Sequence, residues 1–220
     1  MNFLFHPISS LNLLAAMLVT GKMAFWLSIG FFIFISLNYK KPSFNDLDRK
    51  VYEWAKNTEK QFFKTYAEDL AIFGNAIFHI LFCIVIALIF LIFTQNKTAG
   101  FGIIFALIFS WVFNRLVKLI YKRERPQAVP SNIKRRLSYC FPSGHVMASI
   151  PIYFFSAIML QGLITFIPWY LLAFFASLAV IMTRIYLNHH YFTDVLGGIA
   201  LGIFSLHISI WFYFWLGVLL

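Results

Sequence analysis

Six uninterrupted apolar blocks constrain this chain more than any other feature of its sequence. They fall near residues 23–38, 73–94, 99–117, 146–163, 165–183 and 195–217. Each is close to the roughly 20 residues that an α-helix needs to cross a hydrocarbon core about 30 Å thick. The whole chain is 61% hydrophobic and only 12% charged, about half the charged share of an ordinary soluble domain. The expected fold is therefore all-α: a polytopic membrane protein of about six transmembrane helices in one bundle, with the polar chemistry gathered at one membrane face.

Residues 1–220 read as a single integral-membrane domain, with an N-terminal helix and first span in 1–38, an interfacial segment in 39–72 and a helical core in 73–217. Lys22 splits the first apolar stretch, so residues 3–21 are expected to form a separate interfacial or packed helix. Met1 to Gly21 carries no Lys or Arg and thus lacks the basic n-region of a cleavable signal peptide. Residues 39–72 mix charges with Tyr52, Trp54, Phe62, Phe63 and Tyr66, a composition that suits short amphipathic helices at headgroup level, and Asn45 or Asp46 reads as a helix cap. A solvated loop with a few buried aromatics fits that composition as well.

Two cysteines, Cys83 in an apolar block and Cys140 in a polar loop, are too few for a disulfide framework or a zinc cluster. The net charge of +10 would suggest nucleic acid in a soluble chain. Beside a bilayer it points to anionic headgroups or phosphate, with the membrane and its lipids as partners and no nucleic acid. If the six spans alternate, all of the 18 Lys and Arg except Lys22 and Lys97 share one face.

Three segments on that face carry chemistry. Around Lys118 to Pro126, the cations Arg115, Lys118, Lys122 and Arg125 recur at helical intervals, and Pro126 is expected to end the helix beside them. Each cation alone reads equally as an interfacial anchor. Phe141-Pro142-Ser143-Gly144-His145 stands where a loop becomes the fourth span. A hydroxyl and free backbone N–H groups at a helix start suit an anion, with His145 as a proton donor, and a simple cap with a turn glycine is the alternative. In Thr183-Arg184 to Asp194, His190 and Asp194 are four apart. On a helix the carboxylate would hydrogen-bond one ring nitrogen and leave the other free to attack, whereas His189 should point elsewhere.

Together the three segments resemble the signature of the type 2 phosphatidic-acid phosphatase family: Lys118, Arg125 and Pro126 fill its first motif, Pro142 to His145 its second, and Arg184, His190 and Asp194 its third. Thr183 stands where that pattern has Ser. The resemblance implies a metal-free lipid phosphatase that needs no cofactor and works through a phosphohistidine. In it, His190 is the nucleophile, Asp194 its partner and His145 the acid and later the base. Lys118, Arg125, Arg184, Ser143 and Gly144 hold the phosphate.

The motifs do not separate phosphatidate or phosphatidylglycerophosphate, a polyprenyl diphosphate, and a lipid A phosphate as substrates. A non-enzymatic transporter or channel is the competing class, but it needs ionisable residues deep in the spans, and only Lys22 and His79 stand out there. A vanadium-dependent haloperoxidase shares the phosphate-site pattern without needing six spans. Positive-inside counting puts the charged face in the cytoplasm, whereas the resemblance implies a periplasmic or lumenal one. The expected location is a bacterial inner membrane with the catalytic face periplasmic.

Overall fold

The computed structural model describes residues 7–58, 61–126 and 139–219, and for 7–20 and 61–63 the backbone alone. Eight α-helices follow one another among them: α1 (Pro7–Asn38), α2 (Pro42–Asn57), α3 (Gln61–Leu70), α4 (Ala76–Phe93), α5 (Lys97–Tyr121), α6 (Gly144–Gln161), α7 (Trp169–Tyr186) and α8 (Phe192–Leu219). A 3-10 turn, Ala71–Gly74, links α3 to α4. Six helices are long and apolar enough to span a membrane: the Gly21–Asn38 part of α1, then α4, α5, α6, α7 and α8. The protein is an all-α, multi-pass membrane protein.

Polarity is inverted relative to a soluble bundle. Large apolar side chains point outward, with Trp26 67%, Phe93 80% and Phe166 86% exposed. The buried side chains include many small and polar ones, such as Ser110, Ser149, Ser156, Ser177, Ser205 and Ser209. Lipid offers no hydrophobic drive between helices, so close packing of small residues holds them together. Four of these hydroxyls are satisfied within their own helix, as where Ser110 donates to the Ala106 carbonyl at 2.6 Å and Ser205 to that of Leu201 at 2.7 Å, whereas those of Ser156 and Ser177 have no partner.

Helix α6 is the axis of the bundle. Of its residues 72% are buried, against 17–44% in the other five spans, and it packs on α4, α5, α7 and α8. It meets α8 through glycines one turn apart. A Cβ at Gly198 would lie 2.8 Å from the Ser143 carbonyl oxygen and 3.1 Å from Val146 Cβ, and one at Gly202 would lie 2.8 Å from Ile150 Cδ1. Pro151 sits inside α6, tolerated in a span where neighbouring helices re-satisfy the freed backbone.

Three expectations need correction. Residues 3–21 do not form a separate helix from the first span: α1 runs unbroken from Pro7 to Asn38, and residues 3–6 lie outside the described residues. A single Lys22 carries no helix-breaking chemistry, which is why it does not interrupt α1. Helix α2 starts at Pro42 after Lys41, with no side-chain cap, so neither Asn45 nor Asp46 caps it; proline at the first turn supplies the pre-set φ instead. The cation stripe on α5 also stops early. The helix ends at Tyr121, and Lys122, in the left-handed region at φ 46°, turns the chain away, leaving Arg115 and Lys122 exposed.

The close contact at Gly198 gives a direct test. Gly198→Ala should cost about 1–3 kcal/mol of stability and push the Ser143 turn outward, whereas Gly217→Ala, whose new methyl meets nothing nearer than 4.0 Å, should be neutral. Thermal unfolding in detergent compares the two.

Candidate active site

Four helix ends meet at one face of the bundle: the C-terminal ends of α5 and α7 and the N-terminal ends of α6 and α8. This is where the three motifs converge. The turn before α6 is held by Phe141, fully buried, which stacks on Tyr39 at 5.0 Å and lies edge-on to Tyr121 at 5.0 Å. Against it, Gly197 leaves room that a Cβ would fill, 2.7 Å from the ring. From the other side Ser143 N donates to the Asp194 carbonyl at 2.9 Å, tying the start of α6 to the start of α8.

His190 and Asp194 do meet, but not by the expected route. His190 precedes α8, in a turn where Asn188 adopts φ 51°, a conformation that asparagine tolerates better than most residues. The chain then folds back so that Tyr191 N donates to Asp194 Oδ2 at 2.9 Å. His190 Nδ1 lies 3.5 Å from the same oxygen, longer than a well-formed hydrogen bond. Asp194, completely buried, is gripped harder by others: Arg123 Nη1 donates to its Oδ1 at 2.6 Å and the Cys140 thiol to its Oδ2 at 2.6 Å.

The opposite ring nitrogen, His190 Nε2, faces Arg125 Nη1 at 3.5 Å, while the same guanidinium donates to the His189 carbonyl at 3.0 Å. The His145 ring lies 6.5 Å from that of His190, centroid to centroid. Arg184 is buried and donates to the Ala71 carbonyl at 3.3 Å, which anchors it on the 3-10 turn. Burial, and then Arg125, Lys118, Arg184 and His189 in decreasing order, hold the His190 imidazole well below its usual range, so it is neutral. A neutral ring with its proton on Nδ1 toward Asp194 leaves the Nε2 lone pair directed at the cations.

Among the described residues, buried side-chain polar atoms with no hydrogen-bond partner are His79 Nε2, Ser156 Oγ and Ser177 Oγ within the spans, and Ser143 Oγ, Arg125 Nε and Arg184 Nε, one on each of the three motifs. The cap alternative for Ser143 is excluded, since its side chain makes no capping hydrogen bond. Gly144 is also forced to be small: a Cβ there would lie 2.7 Å from Asn114 Oδ1. Thr183, where the motif has Ser, donates to the Val180 carbonyl at 2.9 Å and faces its own helix.

Asp48, Arg123, Cys140 and Thr193 belong to the same cluster and were not singled out by sequence. Arg123 lies between two motif residues, and Asp48 is one of only eight acidic residues, signals that acquire meaning only once α2 is seen against α8. Cys140, His190 and Asp194 form a group whose possible metal-ligand atoms lie within 4.8 Å of one another. It offers thiol, imidazole and one carboxylate, unlike the oxygen cage that suits magnesium or calcium.

A histidine–aspartate pair, and cations that no ion pair among the described residues engages, thus share one face of a multi-pass membrane bundle. Residues 99–217 match the PAP2 superfamily, and the chain belongs to that superfamily. It is 32% identical over 109 residues to the Phosphatidylglycerophosphatase B of Bacillus subtilis (strain 168), an alignment covering 46% of this chain and 53% of the relative. The match thus spans about half the length of that relative. The fold also superposes on the crystal structure of the first transmembrane PAP2 type phosphatidylglycerolphosphate phosphatase from Bacillus subtilis. The TM-score is 0.76 at 22% identity, covering 86% of this chain and 94% of that one.

The electrostatics of the turn make acid stability testable. Burial, reinforced by Arg184 and Arg125, lowers His189 from 6.5 to about 4. In the unfolded chain this ring takes up a proton near 6.5, in the folded one only near 4. Stability is therefore lost progressively as pH falls from 6.5 to about 4. In His189→Asn the unfolding midpoint should fall less steeply across that window, measured by thermal unfolding at stepped pH.

Proposed function

We propose that this protein is a metal-independent membrane lipid phosphatase, hydrolysing a phosphomonoester or diphosphate of a lipid through a phosphohistidine on His190. The observation that carries the reading is the convergence of unpartnered buried donors, Ser143 Oγ, Arg125 Nε and Arg184 Nε, beside a neutral imidazole. Such donors are costly unless an acceptor-rich group completes them. A phosphoryl group offers three oxygens with nothing to donate, and it makes Lys118, the Gly144 N–H, Arg125 and Arg184 its natural neighbours.

In this mechanism His190 Nε2 attacks phosphorus in line and the P–O bond to the lipid breaks. Asp194 holds the Nδ1 proton and stabilises the imidazolium. His145 protonates the departing oxygen, then takes a proton from the water that cleaves the P–N bond, releasing phosphate and regenerating His190. A face at the membrane edge suits a substrate with its phosphate at headgroup level and its tails in the bilayer. Among the candidate lipids, the Bacillus subtilis relative favours phosphatidylglycerophosphate.

Replacing His190 by Ala should abolish turnover of every substrate. His145→Ala should retain its first step best on aryl phosphates and diphosphates, which leave with little help, and should accumulate phosphoenzyme for want of a base. His189→Ala should lose little. Phosphate release and acid-quench trapping of labelled phosphate check all three, with EDTA expected to be without effect and vanadate inhibitory. Label trapped on a residue other than His190, or activity lost in EDTA and restored by magnesium, refutes the mechanism.

The single-domain division of the chain, the bacterial inner membrane and a periplasmic catalytic face complete the proposal. In this reading Lys118, Arg125 and Arg184, which positive-inside counting would assign to the cytoplasm, are held at that face for phosphate binding. With Cys83 and Cys140 replaced by Ser, a cysteine in place of exposed Lys122 should react with an impermeant thiol reagent on intact cells, and one in place of exposed Lys97 should not. The reverse pattern puts the site in the cytoplasm.

A further inference from the structure

We infer that Asp48, on the interfacial helix α2, is a positioning residue for phosphoryl transfer, acting through Arg123 on Asp194; the inference rests on the phosphatase reading of that site. Asp48 and Asp194 are the two buried acidic side chains among the described residues, 3% and 0% exposed. An acid so deep on a helix whose other buried residue is Ala55 requires partners, and Asp48 has a full set. Its Oδ1 accepts from Thr193 N at 2.8 Å. Its Oδ2 accepts from the Thr193 hydroxyl and from Arg123 Nη2, both at 2.7 Å.

Arg123 gives its other terminal nitrogen, Nη1, to Asp194 Oδ1 at 2.6 Å and to the Thr193 hydroxyl at 2.7 Å. One guanidinium thus bridges two buried carboxylates, and its plane is gripped by the Tyr39 ring at 4.8 Å and the Tyr191 ring at 4.2 Å. Burial alone would disfavour this cation, but the Asp194 and Asp48 carboxylates outweigh that and raise its affinity for its proton. Charge and geometry close on each other: without Asp48, Arg123 keeps only Asp194 as an ionic partner, its Nη2 loses its acceptor, and the fork is held to Asp194 and Thr193 through Nη1 alone.

A docking contact for α2 would need no such address. Ala55, completely buried on the same helix, supplies packing without touching the dyad. Asp48 instead contacts the residue preceding Asp194 and the cation holding Asp194, fixing the carboxylate from backbone and side chain at once. The His190 Nδ1 to Asp194 Oδ2 separation of 3.5 Å leaves little tolerance for further drift before the pair is lost.

The test is Asp48→Asn in the full-length detergent-purified protein, with active sites counted by vanadate binding. The expected result is a fall in kcat, and in the rate of phosphoenzyme formation, on the order of 10- to 100-fold, with KM unchanged. Arg123→Lys, which keeps the charge and loses the fork, should show the same split. In an Asp194→Asn background, Asp48→Asn should cost nothing further, because the two act in one chain. Parental kcat per vanadate-binding site in both single variants, whatever their unfolding midpoint, would make Asp48 a structural tie and overturn the inference. Failure of the parental protein to release phosphate from any lipid phosphate would instead overturn the phosphatase reading, an outcome distinct from parental kcat in the two variants.

Discussion

The completely buried carboxylate of Asp194 is the interaction on which this face of the bundle depends. Its position in the first turn of α8 lets the positive end of that helix favour the charge. Its backbone and side chain then organise three other segments. The carbonyl receives Ser143 N and so fixes the start of α6, Oδ2 receives Tyr191 N and folds the histidine turn back, and Oδ1 receives Arg123 and secures the end of the first motif. Each motif is local in sequence, but none is placed without this one acid. A lipid environment makes the arrangement stringent, because a buried carboxylate cannot borrow partners from solvent.

Around this hub the charges do not balance. Arg123 is neutralised by Asp48 and Asp194, but no ion pair among the described residues engages Lys118, Arg125 or Arg184. Those cations surround two histidines, and His190 is held neutral by burial and by them. Such an arrangement is unfavourable in isolation and favourable with a dianion bound, which is the physical content of the proposed specificity for phosphate. In the proposed mechanism the same charges let one pocket host a neutral nucleophile and a proton donor in turn, because an incoming phosphate offsets the cations and favours a protonated imidazole.

Much of this was legible in the sequence because the constraint is one-dimensional. Apolar run length gives the spans, and the motif residues sit at helix ends that the spans predict. What was not legible depended on segments meeting across sequence. The His190 to Asp194 spacing anticipated contact but for a helical reason, whereas a turn with Asn188 in the left-handed region produces it. Cys140 read as an unremarkable loop thiol until it was seen donating to Asp194. The division of α1 at Lys22 failed because one lysine has good helix propensity and can snorkel, so charge alone does not end a helix.

Asp48 shows why interfacial segments of membrane proteins are hard to read. By composition α2 is an amphipathic helix whose apolar residues, such as Leu47 and Trp54, lie exposed at 38% and 50%, as suits a helix resting on the bilayer surface. Its inward face is not wholly apolar: beside Val51 and the buried Ala55 it carries an acid joined to the site. The same helix therefore exposes apolar side chains on one side and contacts Arg123 on the other. Arg123 is thereby shared between α2 and α8, so the interfacial helix and the Asp194 carboxylate are joined through one guanidinium.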